Sequence, residues 1–382
     1  MGGGSGGHIT PIVAVVDKLR RNDSNSKSDI RVWCDRKFSK EARELFGQMA
    51  RVDVIASGKF RRYANLSIWT KLRHHIFRTY LANFIDLFKI AFGILQSCVK
   101  LIIWRPNVIF LKGGYVCLPV GIAARFLRIP TVIHDSDTTP GLANRILARW
   151  AAAIGTGSPV ENYPNYPKKL KRFVGVPIND KIHKFSEREQ LSAKKELNFN
   201  TDKKLIFVTG GGQGAVSLNS VIDEIATKII ANNAQILLTV GRGNVDKIMS
   251  SNTKDFMAVE FLTDEYLAAL SAADIVIVRA GATTMAEMAA AGKAAIIVPN
   301  PHLSGDHQTK NAKVYEDAHA AIVLKQDEIS ENPDIMENAI IELLYDAKLR
   351  ETLAKNLAKF AKPNALNDIV EMILQTAKKG KK

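Results

Sequence analysis

Two glycine-rich turns, Gly2-Gly3-Gly4-Ser5-Gly6-Gly7-His8 and Thr209-Gly210-Gly211-Gly212-Gln213-Gly214-Ala215, stand about two hundred residues apart, each ahead of an apolar stretch with helical spacing. A strand turns sharply into a helix where the backbone reaches φ > 0, and a bare backbone lets an anionic or sugar ligand approach the helix N-terminus. Two such turns predict two nucleotide-type α/β domains in one chain. The length agrees, because 382 residues exceed what one hydrophobic core usually serves.

Short β-rich segments separated by helical patterns support the same reading. Strands are expected at 30–34, 52–56, 108–111, 131–134 and 152–156, and again at 204–209, 235–240, 257–261, 275–278 and 294–299. That rhythm implies two doubly wound parallel sheets. Closely spaced prolines from Pro159 to Pro177 prevent a continuous helix and place the boundary near Val176. The expected domains are therefore 1–176 and 177–355, followed by a helix at 356–376 packing back on the first domain and a solvated basic tail at 377–382. A glycine turn of this kind normally follows a buried strand, yet only Met1 and glycines precede Ser5. The expectation is a start lying further upstream, since an absent central strand would leave neighbouring edges unpaired.

Charge narrows the partners. The 53 Lys and Arg outnumber the 38 Asp and Glu, a formal net charge of +15 that favours nucleic acid, acidic lipid headgroups or nucleotide phosphates. Between residues 59 and 105, Lys59, Arg61, Arg62, Lys71, Arg73, Arg78, Lys89, Lys100 and Arg105 face one acid, Asp86, with Phe60, Tyr63, Trp69, Phe77, Tyr80, Phe84 and Phe88 interleaved. Such a surface suits anionic lipid heads, the alternative being aromatics in the core and solvated charges. No recognised RNA-binding motif accompanies it, so nucleic acid is not expected. The apolar run 81–103 is interrupted by Asp86, Lys89 and Lys100 and reads as an amphipathic or buried helix rather than a span. Cys34, Cys98 and Cys117 are odd in number and outside any metal-ligand pattern, so they read as reduced thiols, and no secretory signal opens the chain. A cytoplasmic location is expected.

Three blocks carry candidate chemistry. His8 ends the first glycine loop, where the helix dipole disfavours imidazolium; it is either a neutral base or a residue that caps the loop. Ala282, Thr283 and Thr284 open a small-residue helix whose N–H groups and hydroxyls suit a diphosphate, and Glu287, one turn further in, suits the vicinal hydroxyls of a ribose. Thr284 and Glu287 also fit a capping box. His307 and Gln308, in the polar loop after the following strand, suit sugar hydroxyls, with Asp306 as a helix cap in the simpler reading.

Taken in order, Gly3 to Pro11, Lys112-Gly113-Gly114-Tyr115, His134-Asp135-Ser136-Asp137 with Pro140 to Arg145, Gly210 to Ala215, Gly281 to Gly292 and Asp306 to Ala312 resemble the MurG family of GT-B glycosyltransferases over residues 3 to about 325. The resemblance implies an α/β GT-B fold, two Rossmann-like doubly wound domains facing across a cleft. It implies inverting transfer of N-acetylglucosamine from UDP-N-acetylglucosamine to the 4-hydroxyl of N-acetylmuramic acid in lipid I, giving lipid II on the cytoplasmic face of an anionic membrane, without metal or other cofactor. On the matching positions His8 would be the base, and Ser5, Gly6, Gly7, Asp137, Gly212, Gln213, Ala282, Thr283, Thr284, Glu287, His307 and Gln308 would bind the donor. Gly113, Gly114, Tyr115 and Asn144 would bind the acceptor; the oligomeric state is left open.

The chain departs from that family in three places. Asp135 stands for a frequent Glu and Asp137 for an Asn; the segment Gly175-Val176-Pro177-Ile178-Asn179 lacks the usual Arg; Gly212 replaces a frequent Ser. A carboxylate repels a diphosphate, so Asp137 is expected to meet hydroxyls or an amide. The alternatives are a related GT-B transferase with another lipid acceptor and a non-catalytic UDP-sugar-binding protein.

Overall fold

The computed structural model describes residues 1–2, 6–22, 28–59, 76–211, 214–250, 252–303 and 306–380; the side chains of 6–8 and 76–80 are not among those described. The backbone divides into two compact units, Met1–Ile178 with Asn364–Lys382, and Asn179–Pro363. All ten expected strands are present, and every sheet is parallel, as buried apolar runs separated by helices require.

The first unit holds α1 (Gly6–Asn22), β1 (Arg31–Cys34), α2 (Ser39–Phe46), β2 (Arg51–Val54), α3 (Ile76–Trp104), β3 (Ile109–Leu111), α4 (Cys117–Phe126), β4 (Thr131–Asp135), α5 (Leu142–Leu147), β5 (Ala153–Thr156) and β6 (Lys171–Phe173). Its strands form two sheets, β1-β2 and β3-β4-β5-β6. Alternate residues of a parallel strand face alternate neighbours. Cys34 O accepts from Ile55 N, so Trp33 turns its backbone away from β2. Ile109 N donates to Pro130 O, so Phe110 turns away from β4. Met1 lies along that edge of β3: its ammonium donates to Phe110 O at 2.8 Å and its carbonyl accepts from Lys112 N at 2.9 Å. Trp33 packs in one apolar cluster with Met1, Ile109 and Leu111, and Val32 and Cys34 share another with Phe110. Met1 thus extends the β3 edge by one residue, and its link to β1 among the described residues is apolar packing against Trp33. Burial pushes the Met1 ammonium below the usual amine range.

α3 buries Asp86, Ile90, Gly93, Ser97 and Leu101 along one stripe. Gly93 is required there, since a Cβ would lie 2.0 Å from Ala56 O. Gln96 closes the outer edge of β2 by accepting from Ala56 N and donating to Val54 O, and Lys100 pairs with Asp53 at 3.1 Å. The opposite stripe, Phe84, Phe88, Phe92, Leu95, Val99, Ile102 and Ile103, is apolar and exposed, Ile103 by 78%. Leu81–Trp104 is long and apolar enough to cross a membrane, yet one face is fastened to the unit, so the helix is amphipathic within the fold.

The second unit holds α6 (Glu187–Glu196), β7 (Lys204–Thr209), α7 (Val216–Ala231), β8 (Ala234–Thr239), β9 (Phe256–Val259), α8 (Tyr266–Ala272), β10 (Ile275–Val278), α9 (Ala282–Ala291), β11 (Ala294–Ile297), α10 (His307–Asp317), β12 (Ile322–Val323), α11 (Gln326–Glu331), α12 (Asp334–Tyr345) and α13 (Ala347–Ala358). One continuous sheet runs β12-β11-β10-β7-β8-β9. Its first strand is central: Val208 pairs with Leu238 on one side and Ile277 on the other.

The expected closing helix is broken. α13 ends at Ala358, and α14 (Ala365–Lys379) begins after Pro363, which has no N–H to continue a helix. α14 returns to the first unit, packing Leu366, Ile369, Val370 and Ile373 against Val15, Val132 and Val174. It continues through Lys379, so the first three residues of the expected tail, 377–379, are helical.

Candidate active site

In both units the candidate residues gather at the carboxyl ends of parallel strands, where doubly wound sheets bind ligands. In the second unit the glycine turn links β7 to α7. Gly214, with φ +71, is forced, because a Cβ would lie 2.4 Å from Val240 O. Gly212 and Gln213 lie outside the described residues.

α9 follows β10 with Gly281 as N-cap in extended geometry and no side-chain cap bond. Thr284 is therefore inside the first turn, and the capping box does not form. Glu287 turns instead toward α8, where Tyr266 O–H donates to its Oε2 at 2.7 Å. Glu287 is buried, and desolvation raises its carboxyl to about 7, against the opposing effect of that hydrogen bond. Tyr266, partly buried in an edge contact with Phe207, is pushed well above the usual phenol range by burial and by the carboxylate. Ala282 and Thr283 complete the first turn, Thr283 buried. α9 closes on Gly292 in the left-handed conformation, a common helix stop.

Arg279, between β10 and α9, is buried. It donates to Val298 O at 3.1 Å and Ser217 Oγ at 3.3 Å, and desolvation lowers it to about 10. α10 begins at His307, after Asp306 in a left-handed conformation that makes no cap bond, so the simple cap reading fails. Gln308 Oε1 accepts from Asn300 N at 2.9 Å, and Asn311 ties α10 to Ala280 O.

In the first unit α1 already starts at Gly6, so His8 sits in its first turn rather than ahead of it. Ser5 and the side chain of His8 lie outside what is described, as do Arg61, Arg62, Lys71, Arg73, Phe60, Tyr63 and Trp69 and the side chains of Phe77, Arg78 and Tyr80. Beyond β3, Gly113 and Gly114 both have positive φ, and the Tyr115 phenol, pushed up to about 12 chiefly by burial, bonds to Asp35 at the end of β1. Asn144 spends its amide N–H groups on His134 O and Asp135 Oδ2.

Asp135 is a structural hub. Its Oδ2 also accepts from Gly141 N and from Tyr166 O–H at 2.8 Å, and burial raises its pKa. Asp137 is partly buried just beyond β4, its carbonyl accepting from Tyr163 O–H. Lys112 is fully buried and donates to Ser136 Oγ at 2.6 Å, with desolvation lowering its pKa. His134 is held neutral by burial and donates Nε2–H to Gly175 O. No site role is assigned to Tyr266, Arg279 or Lys112 from the sequence; Lys112 opens the Lys112-Gly113-Gly114-Tyr115 block and Arg279 directly follows an expected strand, whereas nothing in the sequence marks Tyr266.

Residues 1–156 match the glycosyltransferase family 28 N-terminal domain and residues 205–369 its C-terminal domain. A UDP-N-acetylglucosamine--N-acetylmuramyl-(pentapeptide) pyrophosphoryl-undecaprenol N-acetylglucosamine transferase of Clostridium perfringens is 30% identical over 377 residues, covering 98% of this chain and 97% of the relative. One of the same name from Halothermothrix orenii is 32% identical, covering 99% and 98%. This chain belongs to the MurG family. A crystal structure of MurG from Acinetobacter baumannii matches with TM-score 0.69 at 25% identity over 98% of this chain and 97% of that one. A UDP-GlcNAc 2-epimerase from Neisseria meningitidis, solved with UDP-GlcNAc, shares the fold alone at 12% identity, TM-score 0.62, covering 98% of each chain.

Proposed function

We propose that this MurG-family chain transfers N-acetylglucosamine from UDP-N-acetylglucosamine to the 4-hydroxyl of N-acetylmuramic acid in lipid I, giving lipid II with inversion at the anomeric carbon. The observation that carries this reading is the buried Glu287, held by Tyr266 one turn inside an α9 whose N-terminus has no side-chain cap. Its carboxylate accepts from the ribose hydroxyls. The N–H groups of Ala282, Thr283 and Thr284 meet the diphosphate, whose charge grows as the sugar–oxygen bond breaks. His307 and Gln308 read the sugar, and Gly212 and Gln213 complete the donor loop.

In the first unit His8 takes the proton of the attacking hydroxyl as the new glycosidic bond forms and UDP leaves. Ser5, Gly6, Gly7 and Asp137 border the donor, and Gly113, Gly114, Tyr115 and Asn144 the acceptor. The reading carries no metal or other cofactor, the diphosphate being met by backbone dipoles.

The acceptor lies in a bilayer, and the exposed stripe of α3 supports peripheral attachment to the cytoplasmic leaflet. Full burial of a Leu, Ile or Phe is worth about 1.5–3 kcal/mol, so seven such residues at partial depth supply on the order of 10 kcal/mol. The test is transfer of radiolabelled N-acetylglucosamine to a short-chain lipid I analogue in detergent, with mass identification of the product. A disaccharide product is expected. Transfer to a diacylglycerol instead selects another acceptor, and donor binding without any transfer selects a binding protein.

A further inference from the structure

β3 and β4 run in register, Leu111 beside Ile133, so Lys112 and the segment His134 to Asp137 reach the carboxyl edge of the sheet together. Among the described residues Lys112 is the one buried lysine or arginine of the first unit, 1% exposed. Its hydrogen bond there is to Ser136 Oγ at 2.6 Å, and an ammonium has donors to spare beyond that bond. Ser136 stands between Asp135 and Asp137, and its Oγ lies 3.5 Å from His134 Nδ1. The ammonium is therefore pinned to the residue that separates two carboxyl groups.

A buried ammonium is unfavourable unless opposite charge stands near it, and one hydroxyl is not enough. Burial pushes Lys112 toward its neutral form, and the carboxylates of Asp135 and Asp137 pull it back. Asp135 is fixed by Gly141 N, Asn144 and Tyr166 on its Oδ2. Asp137 is half-buried just beyond, its carbonyl held by Tyr163 O–H. Arg145, on α5, is exposed, where water and salt weaken its field.

This charge arrangement bears on a departure in the sequence. Where the family often has one carboxylate, a Glu followed two residues on by Asn, this chain has Asp135 and Asp137. When ionised, the two carboxylates and the Lys112 ammonium sum to −1, the charge of that single Glu; without Lys112 the sum is −2. Lys112 also opens the Gly113-Gly114-Tyr115 turn, so the cation lies at the same edge as the candidate substrate contacts.

We propose that Lys112 is a positioning residue that offsets the charge of Asp137, letting a substrate diphosphate approach the carboxyl ends of β3 and β4. The proposal rests on the transferase reading, in which donor and acceptor each carry a diphosphate, and the arms of the test separate the two.

The test is a cycle of Lys112→Met, Asp137→Asn and the double variant in the full chain. Equilibrium binding and steady-state kinetics are read for UDP-N-acetylglucosamine and for the short-chain lipid I analogue. Met keeps the apolar stem, and exchanging a buried charge for an apolar side chain need not destabilise a fold. Lys112→Met should weaken binding of one diphosphate substrate and raise its KM roughly tenfold, the scale of one unit charge several ångströms away, with kcat changing much less. Asp137→Asn alone should tighten that binding severalfold, and the double variant should return close to the unaltered chain. Loss confined to UDP-N-acetylglucosamine assigns the offset to the donor, and loss confined to the analogue assigns it to the acceptor. Uridine and the dephosphorylated muramyl peptide should bind all variants alike; losses as large for them as for the diphosphates would overturn the proposal. So would a loss that Asp137→Asn does not recover, or a fall in kcat alone, either of which means structural support. Should Lys112→Met fail to fold, Asp137→Asn alone decides, since unchanged or weaker diphosphate binding overturns the offset. Absence of transfer by the unaltered chain with both substrates bound overturns the transferase reading, and the binding arm still decides the offset. Failure of the unaltered chain to bind either substrate overturns both.

Discussion

The two units follow one strand plan and differ, among the described residues, in what lies at its centre. In the second, β7 enters first and lies in the middle of six strands, paired on both sides. In the first, the corresponding place lies between β1 and β3 and is held by Met1 alone among the described residues. The flanking helices and core clusters nevertheless assemble in both units. What the central strand supplies is the satisfaction of its neighbours' backbone groups and a rigid floor for the turn that follows it.

The largest test of that contrast is chemical. His8→Ala should lower kcat by about 10²–10⁴-fold with little change in donor KM, as loss of a general base does, whereas Glu287→Ala should chiefly raise the donor KM. Steady-state kinetics with both substrates would separate them, and equal losses of donor affinity would break the assignment of base to one unit and donor to the other.

Next in size is the sheet itself. Phe207, fully buried in β7, should cost about 3–5 kcal/mol when changed to Ala, measured by urea unfolding. Conversely, a five-residue Val/Ile segment added ahead of Met1 should stabilise the first unit by a few kcal/mol, each buried residue contributing about 1.5–3 kcal/mol before ordering costs. A Ser/Asn segment of equal length should not. Equal melting temperatures for the two extensions would show that the slot takes no strand.

The smallest effect is a shift in pH dependence. Donor affinity should rise as pH increases through about 7, because Glu287 accepts from hydroxyls best as a carboxylate and burial holds its pKa near that value. Tyr266→Phe removes the bond that lowers this pKa, so the midpoint should move to higher pH, with affinity at pH 7 falling a few-fold. Calorimetry with UDP across pH would read it. For stability the sign is opposite: a carboxyl raised in the fold favours folding below its unfolded pKa, and that contribution fades as pH rises from about 4.5 to 7.

Much of this was legible in the residues. The strands could be read because buried parallel strands are short apolar runs with sharp ends, and the motif order pointed to the family. What could not be read depended on distant partners. Glu287 fits a capping box in sequence, and the N-cap at Gly281 together with the approach of Tyr266 from α8 shows otherwise. Asn144 reads in sequence as an acceptor contact, and only the fold shows that its amide donates to Asp135, which in turn accepts from Tyr166. Along α3, apolar residues occupy both faces, so periodicity could not say which would be covered; Gly93 and Gln96 decide it by fastening one side to the end of β2.

The return of α14 to the first unit sets a timetable for synthesis. Its side chains fill the core beside β4 and β5, yet they are made only after all of Asn179–Pro363. At about 5–20 residues per second, the earlier-made half waits roughly ten to forty seconds for its last helix, while the later-made half can close first. On the ribosome the order of maturation is inverted, and the half carrying the exposed α3 stripe is the one that lingers unfinished.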